Sequence, residues 1–328
     1  MRAAVCSAVG SLEGLEIGRL EAPVLGPRAV RIGVAVAGVN YVDALFVEGT
    51  YQIKPSVPFV PGSEVAGVAV EVGSTVGSVQ IGDRVMASCG LGGFAEEVVV
   101  DISSIAHVPR DLTLAAAATM TQSYSTALYA LRDRAQLREG EQVLVLGAGG
   151  GVGFASVQVA RSLGATVIAA ASSAEKRQHA ALAGANETLP SDPSALKESV
   201  RAASQGGVDV VVDPVGGELA DPALRSLRER GRYLVIGFAG GSIPTLPANQ
   251  ILLRNRAVVG VDWGAWAMSH GPDQDELLGD LLAMVEAGSI APPEPTLYAL
   301  DDAIAALGDL RARRVTGKAA LLIDPALS

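Results

Sequence analysis

A glycine-rich turn is the strongest chemical signal in the sequence. Gly147, Gly150 and Gly153 recur at three-residue spacing in VLVLGAGGGVG, between a short apolar run and a segment that predicts a helix. The pyrophosphate of a dinucleotide needs a tight turn, bare backbone N–H groups and a helix N-terminus directed at it, and glycines supply all three. Because alternating strands and helices follow, the context favours a dinucleotide site over a glycine connection that binds nothing.

The end of the next predicted strand distinguishes between the two nicotinamide cofactors. An NAD site usually carries Asp or Glu about 20 residues after the turn, where the carboxylate binds the ribose 2′-hydroxyl. This chain has Ser172 and Ser173 there, followed by Lys176 and Arg177. A 2′-phosphate needs donors and positive charge, so the pattern predicts NADPH. Ser173 also suits the N-cap of the following helix, and the two roles are compatible.

A second group of residues offers donors for a reacting carbonyl. GVNYVDALF contains Asn40, Tyr41 and Asp43, while Tyr51 and Tyr124 lie in EGTYQIKP and SYSTALYAL. A tyrosine hydroxyl can orient a carbonyl or donate a proton to an enolate. We take these five residues as candidate catalytic groups, with packing around a satisfied hydroxyl as the alternative for each tyrosine.

The sequence contains no recognisable set of metal ligands. Catalytic zinc needs three protein ligands from Cys, His, Asp or Glu. The histidines at 107, 179 and 270 are scattered, and neither Cys6 nor Cys89 lies in a CxxC pair. We therefore expect no metal site, and two cysteines suggest no disulfide framework.

The elements that must position these groups differ between the two parts of the chain. β-Branched residues at 30, 32, 34 and 36 alternate with Arg31, Gly33, Ala35 and Ala37, and further β-rich stretches cover 64–73 and 94–100. Short strands separated by glycine and proline predict a compact barrel or sandwich. An alanine-rich, helix-competent segment, 112–135, then ends this first part.

Strands and helices alternate after Gly140. The predicted elements are strands at 143–146, 166–170, 208–212, 232–236 and 257–261, helices at 152–163, 175–183 and 276–286, and a final strand at 318–323. Repeated strand–helix–strand units predict an α/β fold with a doubly wound parallel sheet. A final segment that rejoins the first domain would make the nucleotide domain an insertion.

Composition excludes several classes of partner. The chain of 328 residues carries a formal net charge of −10, which disfavours nucleic acid as a primary partner. No apolar run approaches the roughly 18 residues that a membrane span needs, and the N-terminus lacks a signal-peptide layout. We expect a cytoplasmic protein with no nucleic-acid or membrane partner.

From about Val30 onward, the chain resembles the quinone oxidoreductase branch of the medium-chain dehydrogenase/reductase superfamily, the branch that includes zeta-crystallin. The resemblance rests on GVNYVD, PFVPGSEVAGVAVEVG, IGDRV, GGFAEEVVV, VLVLGAGGGVG, AAASSAEK, GVDVVVDPVGG, GRYLVIGFAGGSIPTLPAN, VVGVDWGA and VTGKAALLI. The AGGSIPTLPAN to DWGA stretch is especially similar to bacterial NADPH:quinone oxidoreductases.

This resemblance implies a Rossmann doubly wound parallel sheet inserted in a GroES-like β-rich catalytic domain. Residues 1–122 and 265–328 would form the catalytic domain, and 123–264 the Rossmann NADPH-binding domain. Zinc-dependent relatives carry Gly-His-Glu where this chain has Gly62-Ser63-Glu64, so the zinc-free mode is implied. A homodimer is also implied, with the AVVGV strand pairing with its twin.

The family's cofactor contacts transfer to matching positions of this chain. They are Asn40 and Thr126 near the nicotinamide, Gly150, Gly151 and Val152 at the pyrophosphate, Ser172, Ser173, Lys176 and Arg177 at the 2′-phosphate, Asp213, Val215, Gly216, Gly237 and Phe238 in the next two turns, Trp263 near the substrate end, and Lys318. One departure is Ser191, where family members often have a tyrosine that stacks toward the adenosine end.

The function implied is hydride transfer from NADPH to a quinone or a related conjugated carbonyl compound, without zinc. Two alternatives remain open from the sequence. One is reduction of 2-enoyl thioesters or small enones, and the other is a non-catalytic, crystallin-like NADPH-binding protein.

Overall fold

The computed structural model describes residues 1–327, which form two compact units. The first unit contains residues 1–122 together with 292–327, and the second contains residues 123–291. The sequence placed the second boundary at 264/265. In the structure, residues 265–291 belong to the second unit. Two hydrogen bonds tie them to it: Trp263 Nε1 donates to Gln274 Oε1 over 2.8 Å, and Arg132 Nη1 donates to Asp280 Oδ2 over 2.6 Å.

The first stretch of the chain is mainly β structure. Its elements are β1 (Arg2–Cys6), β2 (Leu15–Arg19), β3 (Ala29–Val39), α1 (Tyr41–Val47), β4 (Glu64–Val72), β5 (Arg84–Ser88), β6 (Glu97–Asp101), β7 (Ile105–His107) and α2 (Leu114–Ala117). The strands predicted at 30–36 and 64–73 are confirmed as β3 and β4, and the one predicted at 94–100 is confirmed in a shorter form as β6.

The middle of the chain alternates strands with helices. It contains α3 (Thr121–Leu128), a π-helical turn (Tyr129–Arg134), β8 (Gln142–Leu146), α4 (Gly151–Ser162), β9 (Thr166–Ala171), α5 (Ala174–Leu182), β10 (Glu187–Pro190), α6 (Leu196–Ala203), β11 (Val208–Asp213), α7 (Ala220–Ser226), β12 (Leu227–Val235), α8 (Ala248–Leu252), β13 (Ala257–Gly260), α9 (Trp263–Ser269) and α10 (Gly271–Glu286). The helix predicted over 112–135 is therefore α2, α3 and the π-helical turn.

Three further elements return to the first unit. They are β14 (Thr296–Ala299), α11 (Ala303–Arg311) and β15 (Ala319–Leu322). The seven-stranded sheet of this unit runs β14-β15-β3-β4-β5-β7, with β6 also paired to β3. Since β15 pairs with β14 on one side and antiparallel with β3 on the other, the final strand lies inside this sheet rather than at its edge.

Strand β3 is buried on both faces. Val34 and Val36 on one face and Ala35 and Ala37 on the other are all 0% exposed. The alternating pattern correctly predicted a strand. Because its second set of residues is small rather than polar, both faces are covered.

The second unit contains a six-stranded parallel sheet in the order β10-β9-β8-β11-β12-β13. This is the Rossmann strand order, and the prediction of a doubly wound parallel sheet is confirmed. The direction of winding changes between β8 and β11, so the loops that follow these strands open a crevice at their carboxyl ends. Within residues 1–327, none of the helices is long and apolar enough to cross a membrane.

Candidate functional site

The glycine-rich turn lies at the carboxyl end of β8, where the winding direction changes. Gly147 has a φ of +60°, and a Cβ on Gly153 would lie 2.2 Å from the Gly147 carbonyl oxygen. These two glycines let α4 pack directly against the turn. A Cβ on Gly150, the N-cap of α4, would approach only the Gly147 oxygen, at 3.6 Å. The N-terminus of α4 is therefore lined by backbone, as a pyrophosphate site requires.

The beginning of α5 lies against this turn. Ser173 caps the helix, because its Oγ accepts from Lys176 N over 3.2 Å. A Cβ on Gly149 would lie 2.5 Å from Lys176 Cβ. The half-buried Arg177 donates from Nη1 to the Ala171 carbonyl over 3.5 Å, and Ser172 is exposed. The structure thus brings the predicted 2′-phosphate donors together beside the predicted pyrophosphate turn.

Asp213 shapes the neighbouring loop after β11. Its Oδ1 accepts from the backbone N–H groups of Val215 and Gly216, each over 2.8 Å, and its Oδ2 accepts from the Tyr233 hydroxyl. Burial raises the pKa of Asp213, whereas these hydrogen bonds act in the opposite direction. Asp213 therefore fixes the conformation of the loop after β11 through these hydrogen bonds. Tyr233 is fully buried and was missed, since nothing in its sequence context points to this partner.

The three loops at this edge touch one another. A Cβ on Gly147 would lie 2.7 Å from Val215 Cγ2, and one on Gly216 would lie 3.0 Å from Phe238 Cδ1. Gly237 lies in the same loop as Phe238, immediately after β12. The turns after β8, β11 and β12 thus form one continuous rim. These residues fit a dinucleotide, because the rim combines missing side chains with a helix N-terminus.

The first unit contains a buried cluster of charged and polar side chains. Lys318 Nζ donates to Asn40 Oδ1 over 2.5 Å and to Glu64 Oε1 over 3.0 Å, while Asn40 Nδ2 donates to Glu64 Oε1 over 2.9 Å. Their exposed fractions are 7% for Lys318, 9% for Asn40 and 1% for Glu64. A buried ammonium is tolerated here because a buried carboxylate compensates it.

Ser63 and Gln122 extend this cluster. Ser63 Oγ donates to Gln122 Oε1 and Gln122 N donates to Glu64 Oε2, each over 2.8 Å. Sequence reasoning did not select Ser63, Glu64 or Gln122 as site residues. The sequence did contain a signal for Glu64. This residue begins an apolar strand directly after a glycine-containing turn, and a carboxylate buried at such a position needs a hydrogen-bonding or charged partner.

Asp43 lies beside this cluster and is fully buried. Its Oδ2 accepts from Asn40 N over 2.7 Å at the start of α1, and its Oδ1 has no hydrogen-bond partner in the described part of the chain. Burial and, to a smaller extent, the negative charge of Glu64 raise the pKa of Asp43 to about 7, although the Asn40 N–H and the charge of Lys318 act in the opposite direction. Burial also raises the pKa of the Cys89 thiol, which donates to the Gly62 carbonyl over 3.3 Å.

The tyrosines predicted as proton donors have other contacts. The Tyr41 hydroxyl accepts from Arg311, whose guanidinium carbon lies 4.8 Å from the ring centroid. Tyr51 packs edge to face on Phe46, with 5.0 Å between ring centroids. These contacts support the packing interpretation of Tyr41. The contact between Tyr51 and Phe46 does not connect Tyr51 to the buried cluster of Lys318, Asn40 and Glu64.

Tyr124 lies in the second unit, where its hydroxyl donates to Gln158 Oε1 over 2.8 Å. Its hydroxyl proton is used in this bond, and burial raises its pKa. These contacts favour the packing interpretation of Tyr124, and its role as a proton donor stays a prediction. Two other predicted residues are also buried in this unit, Thr126 on α3 and Trp263 at the start of α9.

Metal ligands do not gather in the described part of the chain. Among residues 1–327, no group of three or more His, Cys, Asp or Glu side chains is arranged to hold a metal ion. The zinc-free interpretation of the sequence stays a prediction.

Comparison with known proteins gives the same two-part organisation. The family model for the alcohol dehydrogenase GroES-like domain matches residues 26–110, and that for zinc-binding dehydrogenases matches residues 151–276. Among curated proteins, quinone oxidoreductase-like protein 2 of Bos taurus is 39% identical over 297 residues, covering 90% of this chain and 85% of the relative.

Solved structures agree over nearly the whole length. A mycobacterial protein in complex with NADPH superposes with a TM-score of 0.91 at 30% identity, covering 98% of this chain and 100% of that one. A quinone oxidoreductase of Pseudomonas syringae pv. Tomato DC3000 gives a TM-score of 0.90 at 30% identity, covering 98% and 99%. The chain belongs to the medium-chain dehydrogenase/reductase superfamily, among its quinone oxidoreductase-like oxidoreductases.

Proposed function

We propose that this protein transfers hydride from NADPH to a quinone or a related conjugated carbonyl compound, without zinc. The observation that carries the proposal is the contact between the glycine turn after β8 and the start of α5, where Lys176 lies against Gly149. That contact joins a backbone-lined pyrophosphate site to a cationic 2′-phosphate site. A similar mycobacterial structure in complex with NADPH supports the same cofactor for this chain.

The second unit supplies binding and orientation. Gly150, Gly151 and Val152 at the start of α4 would hold the pyrophosphate, and Ser173 and Lys176 would hold the 2′-phosphate. When bound, the nicotinamide supplies the hydride, and the protein contributes position and electrostatics. Because Ser172 and Ser173 follow β9 directly where an NAD site usually carries Asp or Glu, no carboxylate at that position repels the 2′-phosphate.

The first unit supplies fixed polar groups. Hydride addition to a quinone places negative charge on a carbonyl oxygen, which preorganised donors stabilise. Lys318 uses two of its three N–H groups on Asn40 and Glu64, so its position is fixed. The family resemblance implies that Ser63 stands where zinc-dependent relatives carry a histidine, and its hydroxyl donates to Gln122. We propose that Asn40 and Lys318 replace the polarising role of a metal.

Steady-state NADPH oxidation against a panel of quinones, enones and 2-enoyl thioesters tests this function. We expect the largest kcat/KM for a quinone and a large preference for NADPH over NADH. A higher kcat/KM for an enoyl thioester would replace the proposal with the first alternative. Tight NADPH binding without turnover of any acceptor would replace it with the non-catalytic, crystallin-like alternative.

We also propose a homodimer formed through β13. This strand is the last in the parallel sheet and, within residues 1–327, pairs only with β12, so one of its edges presents open backbone groups. Val258 on this strand and Leu252 and Leu253 nearby are exposed apolar residues. Light scattering at micromolar concentration should give the mass of two chains, and Val258→Lys should shift it toward one. A monomeric wild type contradicts the proposal.

A further inference from the structure

Three rings of the second unit form a continuous stack. The ring centroids of Tyr129 and Trp266 lie 4.6 Å apart with 26° between the planes, and those of Trp266 and His270 lie 5.4 Å apart with 14°. Tyr129 is buried, Trp266 is half-buried and His270 is exposed. The stack therefore leads from the core to the surface, and its outermost member is His270.

The orientation of the outer ring is fixed. His270 Nδ1 lies 2.9 Å from the Trp266 carbonyl oxygen. The same nitrogen lies 3.0 Å from Ser269 Oγ, so two neighbouring polar atoms hold the ring in place. Trp266 and His270 are one helical turn apart, which places their rings on the same side of α9. The exposed face of His270 is thus a rigid, planar surface.

The π-helical turn holds the elements that carry the stack. Arg134 Nε donates to the Gly260 carbonyl at the end of β13 over 3.0 Å, and Arg132 Nη1 donates to Asp280 Oδ2 on α10 over 2.6 Å. Tyr129, the first residue of the same turn, provides the inner ring. Such π-helical turns occur frequently at functional sites, and here one turn fixes β13, α9 and α10.

The topology places this stack on the half of the sheet that would receive the nicotinamide. A dinucleotide lies across the switch point, with its adenosine half at the side of β9, where Ser172 and Ser173 follow the strand. The nicotinamide half then faces the carboxyl ends of β11, β12 and β13. Only two residues, Val261 and Asp262, separate the end of β13 from the start of α9.

We propose that the exposed face of the Tyr129–Trp266–His270 stack binds the planar ring system of the acceptor and selects polycyclic quinones over aliphatic enones. The inference rests on the proposed function. Aromatic rings prefer offset stacking at about 4.5–7 Å, so a flat multi-ring acceptor adds a fourth layer, whereas a non-planar enone cannot.

Kinetics with His270→Ala measure this selection. We expect KM for a three-ring quinone to rise about three- to tenfold, with kcat, KM for NADPH and KM for cyclohexenone nearly unchanged. His107→Ala, which removes an exposed histidine of the first unit, is the matched control and should change none of them. Equal changes for quinone and enone, or a change of less than twofold for the quinone, would overturn the inference.

Tryptophan fluorescence tests binding without turnover. The chain contains two tryptophans, Trp263 and Trp266, so Trp263→Phe leaves Trp266 as the single reporter. Titration of this variant with phenanthrenequinone, without NADPH, should give saturable quenching that His270→Ala weakens. Absence of saturable quenching overturns the inference even if quinones are reduced. Saturable quenching without turnover supports the stack and refutes the proposed quinone reductase function.

Discussion

The two units of this protein build their sites in opposite ways. The site of the second unit is lined by backbone, because its turn after β8 is rich in glycines and leaves no room for a Cβ at 147, 149 or 153. The first unit concentrates side chains, burying Lys318, Glu64 and Asp43 together. A backbone-lined site tolerates loss of one contact, whereas a buried charge cluster loses its balance when one member is removed. This contrast predicts larger effects of mutation in the first unit.

The largest effect is expected from Lys318→Met, which leaves Glu64 buried without its cation. Breaking a buried ion pair in this way costs roughly 3–5 kcal/mol of unfolding free energy. Urea denaturation measures the loss, and Lys197→Met, which removes an exposed ion pair with Glu198, should cost less than about 1 kcal/mol. Adding Glu64→Gln to Lys318→Met should recover part of the loss. If Lys318→Met and Lys197→Met were equally stable, the buried charge cluster of the first unit would not be more sensitive to mutation than an exposed ion pair.

Asp43→Asn tests the buried cluster of the first unit through the pH dependence of its stability. The pKa of Asp43 is about 7 in the folded protein and 3.8 when unfolded, so the folded state binds the proton more tightly. Stability should therefore fall as pH rises from 4 toward 8, by roughly 4 kcal/mol at most, because a tenfold change in proton affinity corresponds to about 1.4 kcal/mol. Asp43→Asn should remove this slope. A wild type whose stability is flat across this range would show that Asp43 is ionised.

In the second unit, Lys176→Ala tests the cationic side of the cofactor site. A charged hydrogen bond contributes roughly 1.5–3 kcal/mol, so NADPH binding should weaken by about one to two orders of magnitude. NADH binding and kcat at saturating NADPH should barely change, because the contact is remote from the hydride. Isothermal titration with both cofactors measures this, and Lys197→Ala provides the control. Equal losses for NADPH and NADH would mean that Lys176 does not bind the 2′-phosphate.

The smallest effect is expected from Gly153→Ala. Its Cβ would lie 2.2 Å from the Gly147 oxygen, so α4 must shift, at a cost of roughly 1–3 kcal/mol. NADPH affinity should fall with it, because α4 presents the pyrophosphate donors. Gly279→Ala on α10 meets nothing within 4 Å and should stabilise the helix by about 0.5–1 kcal/mol. Thermal unfolding with and without NADPH compares them, and an unchanged Gly153→Ala would show that the turn is not tightly packed.

The contrast also explains which parts of the site could be predicted. The site of the second unit is local in sequence. Its residues lie in two short segments, Gly147 to Gly153 and Ser172 to Lys176, so their spacing can be read directly from the sequence. The cluster of the first unit is not local, since Glu64 and Lys318 are 254 positions apart. Asn40 and Asp43 could be selected by residue type, but their partners could not.

Long-range packing also limited the prediction of elements. The strands of the Rossmann sheet were recognisable from apolar runs, whereas β10 (Glu187–Pro190) and α6 (Leu196–Ala203) were not. Strand β10 contains a proline and an exposed glutamate, and it forms because β9 offers an open parallel edge. The hydroxyl of Tyr124 was a plausible donor by type, and only the position of Gln158 across the helix pair shows that it is occupied.

The pairing of β15 with β3 has a consequence for how the chain matures during synthesis. A ribosome delivers Glu64 and Asp43 long before Lys318, because the whole of the second unit lies between them. Until β15 inserts beside β3, the nascent first unit holds acidic groups that cannot be buried in charged form. The second unit, being continuous in sequence, can fold as it emerges. Completion of the first unit therefore follows synthesis of the second, and it requires the arrival of Lys318.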